Sequence, residues 1–167
     1  MRVILIRHGI AHDRADPDCP PDPERELTEE GQRKTRKVGR GLRELGCAPT
    51  RILTSPYLRA RQTAELVADS FDVDHARITL TEALLPEAAP HALFQQLFAF
   101  NNSDEEIVCV GHAPNLDKVI AVALTGERAP VTALKKAGAA LLLLDDLPRM
   151  RGALSWLMPP KVLSDLG

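Results

Sequence analysis

Val3-Ile4-Leu5-Ile6-Arg7-His8-Gly9 is the stretch that decides the fold. Four apolar residues turn basic at once. The run reads as a buried strand that delivers Arg7 and His8 to its carboxyl end. Open α/β sheets place their ligand crevice there. A guanidinium grips phosphate oxygens in pairs, and a neutral imidazole can attack phosphorus. Taken alone, the Arg-His pair is also what a solvated strand edge looks like.

The same arrangement recurs twice. Arg51-Ile52-Leu53-Thr54 is a second short strand, running into Ser55-Pro56-Tyr57-Leu58-Arg59-Ala60-Arg61-Gln62-Thr63-Ala64. Ile107-Val108-Cys109-Val110 is a third, running into Gly111-His112-Ala113-Pro114. If these strands are neighbours in a parallel sheet, their basic and histidine-bearing turns meet in one crevice.

Together the three motifs resemble the histidine phosphatase superfamily, and within it the SixA-type phosphohistidine phosphatase branch. They are Arg7-His8-Gly9, the Ser-Pro-x-x-Arg-Ala-x-x-Thr-Ala pattern from Ser55 to Ala64, and Gly111-His112. The short chain, the stretch from Gly111 to Leu116 and the ending Trp156-Leu157-Met158-Pro159-Pro160-Lys161 point to the SixA-type branch. The likeness runs from residue 2 to about residue 161. It implies a phosphatase that works through a phosphohistidine intermediate without a metal or other cofactor.

Composition narrows the class. The chain has 167 residues, 44% apolar and 26% charged, which fits one ordinary domain spanning 1–167 with a sizeable core. A net charge of −2 argues against nucleic acid as a partner. No apolar run is long enough for a membrane span, and the start does not read as a signal peptide. A cytoplasmic location is expected. Cys19, Cys47 and Cys109 form no metal or redox motif, and Cys109 reads as a small core residue. Asn101-Asn102-Ser103 matches a glycosylation sequon that has no meaning in the cytoplasm.

Along the chain, residues 12–26 form a loop rich in acid and proline, unfit for a helix or a central strand. Thr28 reads as the N-cap of a helix to Leu45, stopped by Gly46. Ser55 at N-cap and Pro56 at N1 open a second helix to about Phe71. A short strand at 78–80, a helix from about 90 to 100 and a strand at 106–110 follow. Pro114 opens a helix ending before Gly126. Strands 139–145 and 153–158, joined by a turn around Pro148, form an antiparallel hairpin. The expected architecture is a three-layer α/β/α sandwich with a mostly parallel central sheet.

Roles then follow for single residues. His8 is the expected nucleophile, kept neutral by the like charge of Arg7 and Arg59. Arg59, in the first turn of its helix, leans back toward the crevice, while Arg61 faces away as a surface group. The resemblance makes His112 a phosphate-binding residue, which as a donor must present an N–H. It also calls for a carboxylate proton donor after a middle strand. Glu82 fits that place, with Glu87, Asp13 and Asp16 as rivals. A phosphoramidate leaving group needs less help from an acid than a phosphoester does. Loop 12–26 lies beside the site and invites a role in screening substrates by charge.

Competing patterns fail. His8 and His12 have i, i+4 spacing but straddle a strand end rather than a helix. No phosphate-binding Gly-x-x-x-x-Gly-Lys loop exists. Sugar phosphatases and mutases of the family carry insertions that cover the crevice. Here residues 65–84 are all that separate the second motif from Leu85. An open crevice suits a phosphohistidine on a protein surface. The alternatives are a phosphatase of small phosphomonoesters and a non-catalytic module that binds phosphate or phosphohistidine. The intact His8 argues against the module, because pure binding needs no nucleophile.

Overall fold

Val3, Ile4, Leu5 and Ile6 are fully buried, so the first strand is covered on both faces. The computed structural model describes residues 1–100, 106–147 and 149–167. The sequon at Asn101-Asn102-Ser103 and the turn at Pro148 lie outside the described residues. The strands are β1 (Arg2–Arg7), β2 (Arg51–Thr54), β3 (Ile78–Leu80), β4 (Glu106–Gly111), β5 (Ala139–Asp146) and β6 (Arg151–Met158). The helices are α1 (Glu29–Glu44), α2 (Leu58–Ser70), α3 (Pro90–Phe98), α4 (Asn115–Thr125) and α5 (Pro160–Leu166).

The six strands form one sheet in the order β3-β2-β4-β1-β5-β6. β3, β2, β4 and β1 pair in parallel, as expected for strands joined by helical crossovers. β5 runs antiparallel to β1, and β6 returns antiparallel to β5. The C-terminal hairpin is therefore present, and it extends the sheet beyond β1.

Side chains alternate across each strand, and the two faces carry two cores. Val3, Leu5, Leu53, Ile107 and Cys109 pack with residues of α3 and α4. Ile4, Ile6, Ile52, Val108 and Val110 pack with residues of α1, α2 and α5. This is the expected sandwich. Cys109 is a core residue, and Cys47, after the end of α1, is buried as well.

Sheet order brings the site together. The crossover from β1 to β2 passes over β4, so the carboxyl ends of β2, β4 and β1 are adjacent. The ladder then continues one residue past the strands. His8 N–H donates to the Gly111 carbonyl at 3.0 Å, and Ser55 N–H to the Val110 carbonyl at 3.0 Å. His8, Ser55 and His112 thus leave neighbouring strands at one level.

Helix ends largely follow their sequence signals. Thr28 Oγ1 accepts from the Gly31 N–H at 3.0 Å, and Gly46 closes α1 with φ +76°. A Cβ on Gly31 would lie 2.0 Å from the Ile10 carbonyl oxygen, so only glycine lets α1 back onto the chain leaving His8. One reading needs correction. α2 starts at Leu58 with Tyr57 at its N-cap, not with Ser55 as cap and Pro56 at N1. Ser55 is turned to another use, described below.

α5 has no counterpart in the sequence reading. Pro160 stands at N1, where a proline starts a helix without losing an intrahelical bond. Leu163 is fully buried, and its backbone meets α1 at Gly41, where a Cβ would lie 1.9 Å from the Leu163 carbonyl oxygen. Leu163→Ala is expected to cost about 2–5 kcal/mol in urea unfolding. A loss well under about 1 kcal/mol would mean that α5 does not contribute to this core.

Candidate active site

His8 is 6% exposed. Its Nδ1 lies 2.7 Å from the Gly9 carbonyl oxygen. A carbonyl only accepts, so Nδ1 carries the proton and Nε2 keeps its lone pair. Arg59 Nε donates toward that Nε2 at 3.2 Å. Gly9 is fixed in turn, its N–H donating to Thr63 Oγ1 at 3.0 Å, while Thr63 Oγ1 donates to the Arg59 carbonyl at 2.7 Å. The threonine of the second motif therefore ties the first motif to α2.

Arg59 is 2% exposed in the first turn of α2. A buried guanidinium must be paired and hydrogen-bonded. Besides His8, it meets His112, whose Nδ1 lies 3.3 Å from Nη2. Nη1 donates to the Asp22 carbonyl oxygen at 2.6 Å, and Nη2 lies 3.2 Å from the Asp22 carboxylate. Arg61 is exposed and lines a different cavity with Glu65 and His75, as its surface assignment expects.

His112 is 1% exposed, with its ring centroid 4.9 Å from that of His8. Guanidinium groups only donate, so Nδ1 accepts from Arg59 and the proton sits on Nε2, 2.9 Å from Ser55 Oγ. This N–H faces Ser55, not the crevice.

Arg7 holds the opposite wall. Its Nη1 donates to the Leu134 carbonyl at 2.9 Å, and the Leu134 N–H donates to buried Asp117 at 2.8 Å. Asp117 also faces Arg7 as its favourable charge.

Loop 12–26 is a strap whose ends are zipped by an Ala11–Leu27 bridge and a His12 N–H to Glu26 carbonyl bond of 3.1 Å. Asp22, in a short 3-10 turn, receives Arg14, Arg25 and Arg59. Burial alone raises its pKa, but the Arg25 hydrogen bond and the charges of Arg59, Arg25 and Arg14 outweigh that and hold the carboxyl below its usual range. Sequence reasoning missed Asp22 and Arg25. No periodicity marks residues inside a Pro-rich loop, and only their charge set them apart.

A crevice of about 590 Å³ joins these groups, lined by Arg7, His8, Arg25, Arg59 and His112 with Arg14 and Lys136 toward the rim. Asp13 lines it as well. Glu82 does not join them. It is exposed at the start of a 3-10 turn and lines a separate cavity with Gln95 and Gln96. Glu87 and Asp16 are exposed and absent from the crevice walls. Among the described residues, no group of three or more His, Cys, Asp or Glu is arranged to hold a metal ion.

Burial first, then the neighbouring His112, Arg59 and Arg7, pushes the His8 imidazolium pKa down to about 2. Burial, then Arg59, brings His112 down to about 3. Both rings stay neutral near pH 7. The unfolded chain, with histidines near 6.5, binds protons first as pH falls. Stability should therefore decline below pH 6.5, by up to about 1.4 kcal/mol per pH unit for each ring. His112→Gln should make the decline between pH 6.5 and 4 shallower in urea unfolding. An equal slope in the two proteins would rule out a depressed His112.

The site can be set beside known proteins. A sequence model of the Histidine phosphatase superfamily (branch 1) matches residues 3–85. An uncharacterized protein of Picosynechococcus sp. is 37% identical over 139 residues, covering 83% of this chain and 82% of that one. The phosphohistidine phosphatase SixA of Escherichia coli is 29% identical over 161 residues, covering 96% and 94%. The solved structure of the protein histidine phosphatase SixA complexed with tungstate superimposes with a TM-score of 0.84 at 26% identity, covering 96% of this chain and 98% of that one. With His8 and His112 at adjacent strand ends and Arg59 reaching them from the first turn of α2, the chain belongs to the histidine phosphatase superfamily, in its SixA-type branch.

Proposed function

We propose that this protein removes the phosphoryl group from phosphohistidine on a protein, through a phosphohistidine formed on its own His8. One observation carries the reading. His8 Nε2 is a lone-pair nitrogen in a basic crevice, fixed in that tautomer by the Gly9 carbonyl. The similarity to phosphohistidine phosphatase SixA along nearly the whole chain supports the substrate class.

Arg7, Arg25, Arg59 and His112 hold the phosphoryl oxygens and balance their charge in the transition state. His8 Nε2 forms a bond to phosphorus while the substrate N–P bond breaks. The electron pair of that bond stays on the substrate imidazole, which leaves neutral when its other nitrogen is already protonated. Phosphorylated His8 keeps its Nδ1 proton on the Gly9 carbonyl and is cationic. Water then attacks phosphorus, His8 leaves with the electron pair as neutral imidazole, and the water proton passes to phosphate or solvent. Neither step needs a strong acid from the protein, which fits a crevice that Glu82 does not reach. The cations facing the phosphoryl group are arginines, so no metal is assigned a role. A cytoplasmic location fits Cys19, Cys47 and Cys109, all free thiols.

The test is hydrolysis of a histidine-phosphorylated protein beside a panel of small phosphoesters, in EDTA. His8→Ala should lower kcat by roughly a thousandfold or more, and Arg59→Ala by about a hundredfold or more. Preference for one small ester would replace the protein substrate. No turnover with phosphate still bound would make this a binding module. Glu82→Gln should leave turnover unchanged on every substrate, where loss of a general acid costs roughly a hundredfold. A loss of that size would place Glu82 in the mechanism.

A further inference from the structure

Ser55 is fully buried between the end of β2 and the first turn of α2. It forms no helix cap. Its Oγ accepts from the Tyr57 N–H at 3.3 Å and lies 2.9 Å from His112 Nε2. Its own N–H is held by the Val110 carbonyl on β4, the strand that leads to His112. Pro56 follows and keeps the Ser55 backbone extended. The hydroxyl is therefore fixed against the edge of the ring that faces away from Arg59.

We propose that Ser55 is a positioning residue for phosphoryl transfer, holding His112 by Nε2 so that Nδ1 faces the phosphoryl site in whichever protonation state the reaction needs. The proposal rests on the phosphatase reading above. Nδ1 accepts from Arg59, so Nε2–H donates to Ser55 Oγ. A phosphoryl oxygen in the same place requires a donor at Nδ1. If the ring takes a second proton, Ser55 goes on accepting from Nε2–H. If the proton instead moves to Nδ1, the serine O–H turns and donates to Nε2. A carbonyl or carboxylate would support only the first state, and an alanine neither. A hydroxyl matches both.

Ser55→Ala is expected to lower kcat by roughly ten- to a hundredfold with little change in KM, the range seen when a ligand's orienting partner is lost. In a His112→Ala background the same change should cost almost nothing, because the effect runs through the imidazole. Ser55→Thr, which keeps the hydroxyl, should recover most of the lost rate. Nitrogen-15 NMR of histidine-labelled protein should show His112 as an Nε2–H tautomer, with its Nε2 signal shifted in Ser55→Ala by loss of the hydrogen-bond partner. An unchanged kcat with an unchanged His112 spectrum would overturn the proposal. So would a loss that persists in the His112→Ala background, which would mark a purely structural serine. Should Ser55→Ala fail to fold, Ser55→Cys carries the same comparisons, since a thiol is a weak partner for imidazole. Should the wild type turn over no substrate, the phosphatase reading fails by itself. The His112 spectrum and the affinity for inorganic phosphate, weakened several-fold by Ser55→Ala only when His112 is present, still decide the role of Ser55.

Discussion

A buried guanidinium organises this site. Arg59 is 2% exposed, and such a charge is tolerated only when its donors are satisfied. Its partners are His8 Nε2, His112 Nδ1 and both oxygen-bearing groups of Asp22. Each contact does something beyond satisfying the arginine. The first two orient the imidazoles and help keep them neutral. The third docks the strap over α2. Because Arg59 sits in the first turn of α2, packing of that helix on the sheet fixes all three contacts together.

Much of this was legible in sequence because the features obey short-range rules. A strand buried on both faces reads as a continuous apolar run, and three such runs ended in Arg7-His8, Ser55-Pro56 and Gly111-His112. Their adjacency was an assumption until the sheet order placed β4 between β2 and β1. What escaped had no local signature. Ser-Pro before a helix is also the pattern of a cap, so in sequence Ser55 reads as part of its own helix rather than as the partner of a histidine that follows another strand. α5 hid behind two prolines that serve as its start. Glu82 follows β3 as expected, yet the turn at Glu82–Leu84 presents it to a different cavity. Direction out of a turn is set by tertiary packing, which spacing does not encode.

Asp22 and Arg25 illustrate the same limit from the other side. They belong to a loop whose composition excluded regular structure and offered nothing further. Only the strap's closure at Ala11 and Leu27 carries Asp22 to Arg59. One carboxylate of the acidic loop, Asp22, thus sits on Arg59, the arginine to which the proposed function gives the phosphoryl oxygens.

That contact sets a condition on any ligand. The Asp22 carboxylate is tethered beside Arg59, so an incoming anion competes with an intramolecular partner at high effective concentration. A monoanionic carboxylate offers Arg59 no more than Asp22 already supplies. A phosphoryl group brings more charge and three oxygens, which Arg7, Arg25, Arg59 and His112 can share. The advantage belongs to the group that engages all four at once. On the proposed function, the Asp22–Arg59 contact would act as selection: it would remove the benefit of binding for weak anions and leave it for a phosphoryl group that His8 could accept.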